Sequence, residues 1–299
     1  MPSRAVWPSA AQSWAGTALG ALFVATSGMW ISLSGTSPGT ASAYRCALAL
    51  PLLIPLAVWE RRRAGAPYRP GARTIAAGVL FSADMLLWTQ AMAEVGVGLT
   101  AVIVNLQVVM VPALAWFFRR EPVPRRFLLV LPVALTGVVL TSGVLGGGSV
   151  GSAPVSGTAH AALAALCYSG FLFLLRSEGG RGRTIRSYTA MMALAVVVSA
   201  LLGTVWHGFD LAPGWSAAGW LLLAAVCGQV LGWLLVALCL AQIPSHVGAV
   251  LLLLTPVGAL ILGGVVLGER PAALQLLGSA LLCASVVVTR RGAEKERPR

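Results

Sequence analysis

Acidic side chains are almost missing from this chain. Nine Asp and Glu stand among 299 residues, and charged residues of both signs make up only 10% of it. With 58% of its residues apolar, the chain has far too little polar surface to cover a soluble core of that size. Histidine is scarce too, and His160, His207 and His246 are too scattered to form a zinc set. The five cysteines, Cys46, Cys167, Cys227, Cys239 and Cys283, fall inside apolar stretches without CxxC spacing. Disulfides and a structural metal are therefore not expected, and the cysteines read as small packing residues. No GxxxxGK[ST] loop is present, so ATP hydrolysis by that route is excluded. A membrane-embedded enzyme usually needs His, Asp or Ser clustered near an interface, and neither such a cluster nor HExxH is visible. The expectation is no enzyme and no cofactor.

What the chain does have is long apolar runs. Spans of about 20 residues, enough to cross a ~30 Å hydrocarbon core, recur ten times. Their approximate bounds are 14–33, 40–59, 74–93, 97–118, 127–146, 155–175, 188–207, 217–240, 245–267 and 272–289. The net charge of +12 taken alone suggests a nucleic-acid partner, but its distribution gives a simpler account. Nineteen of the 21 Lys and Arg lie at Arg4 or in four clusters, Arg61 to Arg73, Arg119 to Arg126, Arg176 to Arg186 and Arg290 to Arg299. Those positions occupy alternate gaps between the spans; the other gaps are nearly empty of positive charge. Cytoplasmic loops retain Lys and Arg because positive charge resists translocation, and anionic lipid attracts it. The pattern predicts a multi-pass inner-membrane protein with both termini cytoplasmic, Ser149 and Pro213 outside, and no nucleic-acid partner. The first span reads as a retained helix, since it is too long for a signal peptide and has an internal counterpart.

That counterpart belongs to a duplication. Residues Ala101–Glu121, AVIVNLQVVMVPALAWFFRRE, align without gaps onto Ala249–Glu269, AVLLLLTPVGALILGGVVLGE. Gly16-Thr17-Ala18 leads to Ser27-Gly28 just as Gly157-Thr158-Ala159 leads to Ser169-Gly170. The predicted layout is a segment 1–13, a first repeat 14–146, a Gly/Ser-rich linker 147–154, a second repeat 155–290 and a basic tail 291–299. Five spans per half is an odd number, so the second repeat inserts upside down. The predicted fold is an all-α membrane protein with ten transmembrane helices as two inverted five-helix repeats, an architecture that places sites near mid-membrane between the repeats.

The chain resembles the drug/metabolite transporter superfamily, specifically its EamA-type ten-helix members. Carrying the resemblance are Arg45 near the start of span two (AYRCALAL) and the closing motif of the second half, LLLLTPVGALILGGVVLGERPAALQLLGSALLCASVVV. The first-half motif, NLQVVMVPALAWFFRREPVP, departs from the pattern, with Val108 in place of the usual Pro and Arg120 in place of the Gly before Glu121. The resemblance implies export or exchange of small metabolites, often without ATP, through a cavity lined mainly by helices one, three, four, six, eight and nine.

Polar groups inside the spans are the candidate site, because a charge at mid-membrane costs roughly 2.5–3.5 kcal/mol or more. Asp84 lies roughly 15 Å deep in span three. It is either a cavity acid for a cationic group or a proton, or a buried acid tied to a neighbouring helix by hydrogen bonds. Trp88, four residues on, shares its face. Arg45, about 7.5 Å inside the outer edge, has a stem long enough to snorkel outward. Its pairing with Asp84 is left open. Gln107, in span four, maps through the repeat onto Thr255, and both are assigned to the cavity, with a helix–helix hydrogen bond as the alternative. Asn105, two residues from Gln107, maps onto Leu253 and points elsewhere. Gln229 and Trp233 form an i, i+4 pair in span eight, and Tyr168 joins from span six, with an interhelical hydrogen bond of its hydroxyl as the alternative. Pro256 beside Thr255 marks a kinked or broken helix. Glu121 and Glu269 read as acids complementing the dipole of the helix that follows each. Trp7, Trp14, Trp59, Trp206 and Trp215 read as interface anchors.

The resulting expectation is a secondary transporter exporting a small metabolite, or an amphipathic or cationic compound, by alternating access. Its partners are that solute, the lipid bilayer and, as a candidate coupling ion, the proton. An uptake permease of the same fold is the alternative within transport, and a non-transporting scaffold or regulatory protein the alternative outside it. The oligomeric state is not legible.

Overall fold

The computed structural model describes residues 10–64, 68–142, 144–146, 153–179, 182–206, 208–266 and 272–295. Most of the linker from Gly147, together with Ser149, His207, Glu269 and Arg270, lies outside the described residues. Among those described there is no β-strand. In hydrocarbon each backbone N–H and C=O must be satisfied within its own segment, so these apolar runs have only the helix available to them. The helices are α1 (Ala10–Ser34), α2 (Pro38–Ala64), α3 (Ala72–Val104), α4 (Gln107–Arg119), α5 (Arg125–Thr141), α6 (Pro154–Glu178), α7 (Thr184–Trp206), α8 (Trp215–Ala224), α9 (Leu234–Leu240), α10 (Ser245–Leu251), α11 (Leu254–Val266) and α12 (Ala273–Lys295). A π-helical segment, Ala225–Trp233, joins α8 to α9.

Nine described stretches are long and apolar enough to cross a membrane. The tenth crossing is α5, 17 residues long, or about 26 Å at 1.5 Å per residue. Span five was expected to run to residue 146; the α-helix ends at Thr141, and Val144–Gly146 form a 3-10 turn. Spans three and four are less separated than the sequence suggests, because helical geometry continues through Val104. They nevertheless run in opposite directions along α6. A Cβ on Gly157 would meet Val95, whereas the Phe118 ring lies 5.8 Å from that of Phe173, sixteen residues further along the same helix.

Counterparts pair across the molecule. α1 packs on span eight (α8, the π segment and α9) as its repeat equivalent α6 packs on α3; α2 packs on α7, α5 on α12, and α4 on α10. This is the arrangement two inverted repeats produce about a common pseudo-two-fold axis. Small residues allow the closest approach. A Cβ on Gly20 would sit 2.9 Å from the carbonyl oxygen of Gly232, and one on Gly232 only 2.7 Å from Val24 Cγ2. Gly20 of α1 meets Gly232 of span eight, while Gly16 lies against Cys239 and Gly228 against Ser27, so small residues line this contact from both helices.

The two ends differ in chemistry. At one end Glu60 of α2 accepts the backbone N–H groups of Ile185 (3.2 Å) and Arg186 (2.9 Å), capping α7, while Arg176 pairs with Glu121 at 2.8 Å. The helix ends at this side carry Arg61, Arg62 and Arg63 on α2 and Arg119, Arg120, Arg125 and Arg126 around the turn from α4 to α5. At the other end Ser37 donates to the Gly208 carbonyl (2.8 Å), Thr40 accepts from the Asp210 N–H (2.9 Å), and His160 Nδ1 lies 2.7 Å from Glu94 Oε2. Trp59 and Trp215 are exposed at helix ends as expected of anchors, but Trp14 is packed inside, at 7% exposure.

Candidate functional site

Two interruptions place polar chemistry at mid-membrane. Span nine breaks at Leu252–Leu253, between α10 and α11. Pro256 has no N–H to offer the Leu252 carbonyl, which takes the Thr255 N–H at 3.0 Å instead. The Leu253 N–H turns to Val250 (3.0 Å), so the Ala249 carbonyl loses its usual donor. Span four breaks at the equivalent place, Asn105–Leu106, without a proline: Leu106 N–H turns to Ile103 (3.1 Å) and Asn105 Nδ2 caps its own helix at Ala101 (2.8 Å). The sequence pointed to the break in span nine only; Asn105 in mid-span was the signal for its partner.

Gln107 links these breaks. Its Nε2 donates to the freed Ala249 carbonyl at 3.0 Å, while its Oε1, fully buried, has no hydrogen-bond partner. Thr255, half-buried, reaches the Ala21 carbonyl of α1 at 3.4 Å. The helix–helix alternative is thus realised for the donor side of both residues, which sit where spans one, four and nine cross.

Asp84 of α3 is 1% exposed and neither carboxyl oxygen has a hydrogen-bond partner. The reading of a buried acid tied by hydrogen bonds finds no support among the described residues. Arg45 of α2 does not snorkel: it is 3% exposed, its guanidinium lies 5.5 Å over the Phe81 ring and donates to Met85 Sδ, and its Nε is unpartnered. An aromatic face and a polarisable sulfur partly offset the burial of this cation. Arg45 and Asp84 lie near one another without a direct bond, and Asp84 also lies near Cys167 and Tyr168 of α6.

Aromatic rings complete this centre. The Trp233 ring is met nearly edge-on by Phe81 (6.1 Å), Tyr168 (5.8 Å) and Phe171 (5.3 Å), a favoured arrangement for ring quadrupoles. Trp88, by contrast, lies toward Gly28 of α1, and no ring contact joins it to Trp233. Gln229 sits in the π segment, fully buried; its Nε2 finds only sulfur, Met192 Sδ at 3.4 Å and Cys46 Sγ at 3.6 Å, and its Oε1 finds nothing. Sulfur is a weak acceptor, so this amide is poorly satisfied. Its backbone carbonyl accepts both the Leu234 N–H and the Tyr188 hydroxyl, the latter at 2.8 Å. π segments occur frequently at functional sites. The sequence reading missed the π register and Tyr188; the Gly228-xxx-Gly232 spacing was the available hint.

The structure therefore gathers Asp84, Tyr168 and Trp233 with Arg45, and Gln229 stands one turn from Trp233. Gln107 and Thr255 form a second polar group at the broken helices. Among the described residues no group of three or more His, Cys, Asp or Glu could hold a metal. Glu121 corrects another expectation: it complements α10 rather than α5, accepting the Ser245 N–H at 2.7 Å. Burial pushes its pKa up, but that N–H and the Arg176 guanidinium outweigh the burial and hold the carboxyl below its usual range.

The model of the EamA-like transporter family matches residues 13–143 and again 155–291. A solved crystal structure of a protein superposes with a TM-score of 0.77 over 96% of this chain and 99% of its own length, at 16% identity, a likeness of fold alone. No curated protein matches the sequence.

Proposed function

The chain belongs to the EamA-like transporter family, and we propose that it is a secondary transporter that exports a small amphipathic or cationic metabolite by alternating access. The observation that carries this is Asp84: a fully buried carboxyl with no hydrogen-bond partner, at mid-membrane, between the two repeats and beside an aromatic cluster. An unpartnered acid in hydrocarbon is costly, and a cation or a proton is what relieves that cost. The Trp233 and Tyr168 rings offer apolar area and negatively charged faces to the same ligand. Gln229 and Gln107 contribute amide oxygens that accept hydrogen bonds. The basic end faces the cytoplasm of an inner membrane on the distribution of Arg, and the proton is the candidate coupling ion.

The test uses proteoliposomes loaded with phenethylammonium as an amphipathic cation probe. Efflux by the unmodified protein depends on pH, because proton and cation compete for one carboxylate. Asp84→Asn keeps the size and removes ionisation, so it folds but loses the pH-dependent flux, while Asp84→Glu retains part of it. Full, pH-responsive transport by Asp84→Asn removes Asp84 from the mechanism and leaves Gln107, Gln229 and Thr255 as a site for a neutral solute.

A further inference from the structure

We propose that Glu121 and Arg176 form a latch that holds the basic end of the pathway shut, and that α4 and α10 swing as one unit about the two mid-span breaks when it opens. This rests on the alternating-access reading. Arg176 of α6 is engaged on every side: its Nη1 and Nη2 reach the two Glu121 oxygens at 2.8 and 3.4 Å, and its Nε and Nη2 reach the Ile243 carbonyl at 3.2 and 3.0 Å. Glu121 in turn accepts the Ser245 N–H at 2.7 Å. The pair thus ties three separate elements together: the loop after α4, the end of α6 and the turn before α10.

The elements it ties are the ones able to move. α4 runs from the Asn105–Leu106 break to this end, and α10 runs from this end to the Leu252–Leu253 break. At the breaks the two half-helices are joined to each other by Gln107 and the Ala249 carbonyl, 3.0 Å apart. Each is therefore interrupted at mid-membrane, bonded to its counterpart there and tied by this pair at its outer end, with α4 lying along α6 between the two. Along α6, Arg176 lies eight residues beyond Tyr168, about 12 Å nearer the basic end. Phe171, Leu172 and Leu175 fill the space between, each no more than 1% exposed. A route from the candidate site to the basic end must part this plug, and the latch is what keeps it packed. Both side chains are only partly exposed, 14% for Arg176 and 19% for Glu121, so water and salt weaken the pair less than a surface pair.

The test reads accessibility and needs no substrate, so it stands or falls separately from the transport reading. In a background with all five cysteines replaced, Val108→Cys places one thiol on α4, just on the basic side of the break. The protein is reconstituted in nanodiscs and treated with a membrane-impermeant maleimide. Arg176→Gln and Glu121→Gln each raise the labelling rate several-fold, and Arg176→Lys, which keeps charge but loses the fork, falls between. Glu60→Gln, which weakens the Arg186 pair joining unbroken α2 and α7, leaves it unchanged. If Arg176→Gln does not fold, Glu121→Gln, which keeps an acceptor for Ser245, carries the measurement. Unchanged labelling in the folded latch variants, or an equal rise in Glu60→Gln, overturns the proposal.

Discussion

Replacing Asp84 by alanine should make the folded protein more stable while abolishing flux of the probe. The carboxyl is 1% exposed and both oxygens lack partners. A buried polar group left unsatisfied costs about 1–3 kcal/mol, and more if charged. Against this stands the void left by a short side chain, about 1 kcal/mol, well below the 2–5 kcal/mol of a Leu→Ala change. The balance favours the variant by up to about 2 kcal/mol. For a chain of this size each kcal/mol moves the melting temperature by about 2 °C, giving a rise of up to about 4 °C. Tryptophan fluorescence during heating in detergent measures it, with phenethylammonium efflux from proteoliposomes as the paired readout. Gain of stability with loss of activity is the signature of a group kept for function at a cost to the fold. A fall of similar size would refute the reasoning, because it would mean that Asp84 is a satisfied structural group.

Tyr188→Phe removes the hydroxyl that holds the Gln229 carbonyl at 2.8 Å; it should lower stability by about 1–2 kcal/mol in the same melt, and weaken phenethylammonium binding by calorimetry through the displaced amide. Gly232→Ala brings a Cβ within 2.7 Å of Val24 Cγ2 and 3.0 Å of the Val24 backbone nitrogen. It should cost about 1–3 kcal/mol or the folded protein itself. Gly219→Ala, with nothing within 4 Å, should be neutral or slightly stabilising by helix propensity. Equal behaviour of the two alanine variants would mean that α1 does not pack as described.

Topology was legible in the sequence because the bilayer restricts it so strongly. Length alone fixes a span, Arg placement separates the two ends, and a gap-free internal match reveals the repeat. Asp84, Gln107 and Gln229 stood out for the same reason: a polar group among Leu and Val needs an explanation. What each one faces was harder to read. Arg45 has the reach to snorkel, and only the Phe81 ring and Met85 sulfur, both on another helix, decide that it turns inward. The π segment Ala225–Trp233 is met by Tyr188, 41 residues away in the same repeat, and by α1 from the other repeat, contacts that no local pattern announces. Glu121 precedes α5 in the chain yet serves α10, because folding brings Ser245 nearer than sequence does.

The duplicated backbone also carries unlike chemistry at matched positions, and this asymmetry bears on what the site accepts. Through the repeat alignment Gln229 corresponds to Phe81, and Trp233 to Met85. The rings of Phe81 and Trp233 come from opposite repeats and meet at 6.1 Å. Asp84 has glycine, Gly232, as its counterpart, and that glycine is spent on close packing against α1. One wall of the site therefore presents an acid with the Arg45 guanidinium nearby, and the facing wall an amide with an indole. A strictly symmetric site would have set two acids together, where mutual repulsion keeps one of them protonated. A single off-axis acid opposite an aromatic surface suits a ligand with one cationic end and one apolar end, which would share Asp84 with the nearby Arg45. It also makes the two walls unlike, so that a ligand with one cationic and one apolar end fits in one orientation rather than two.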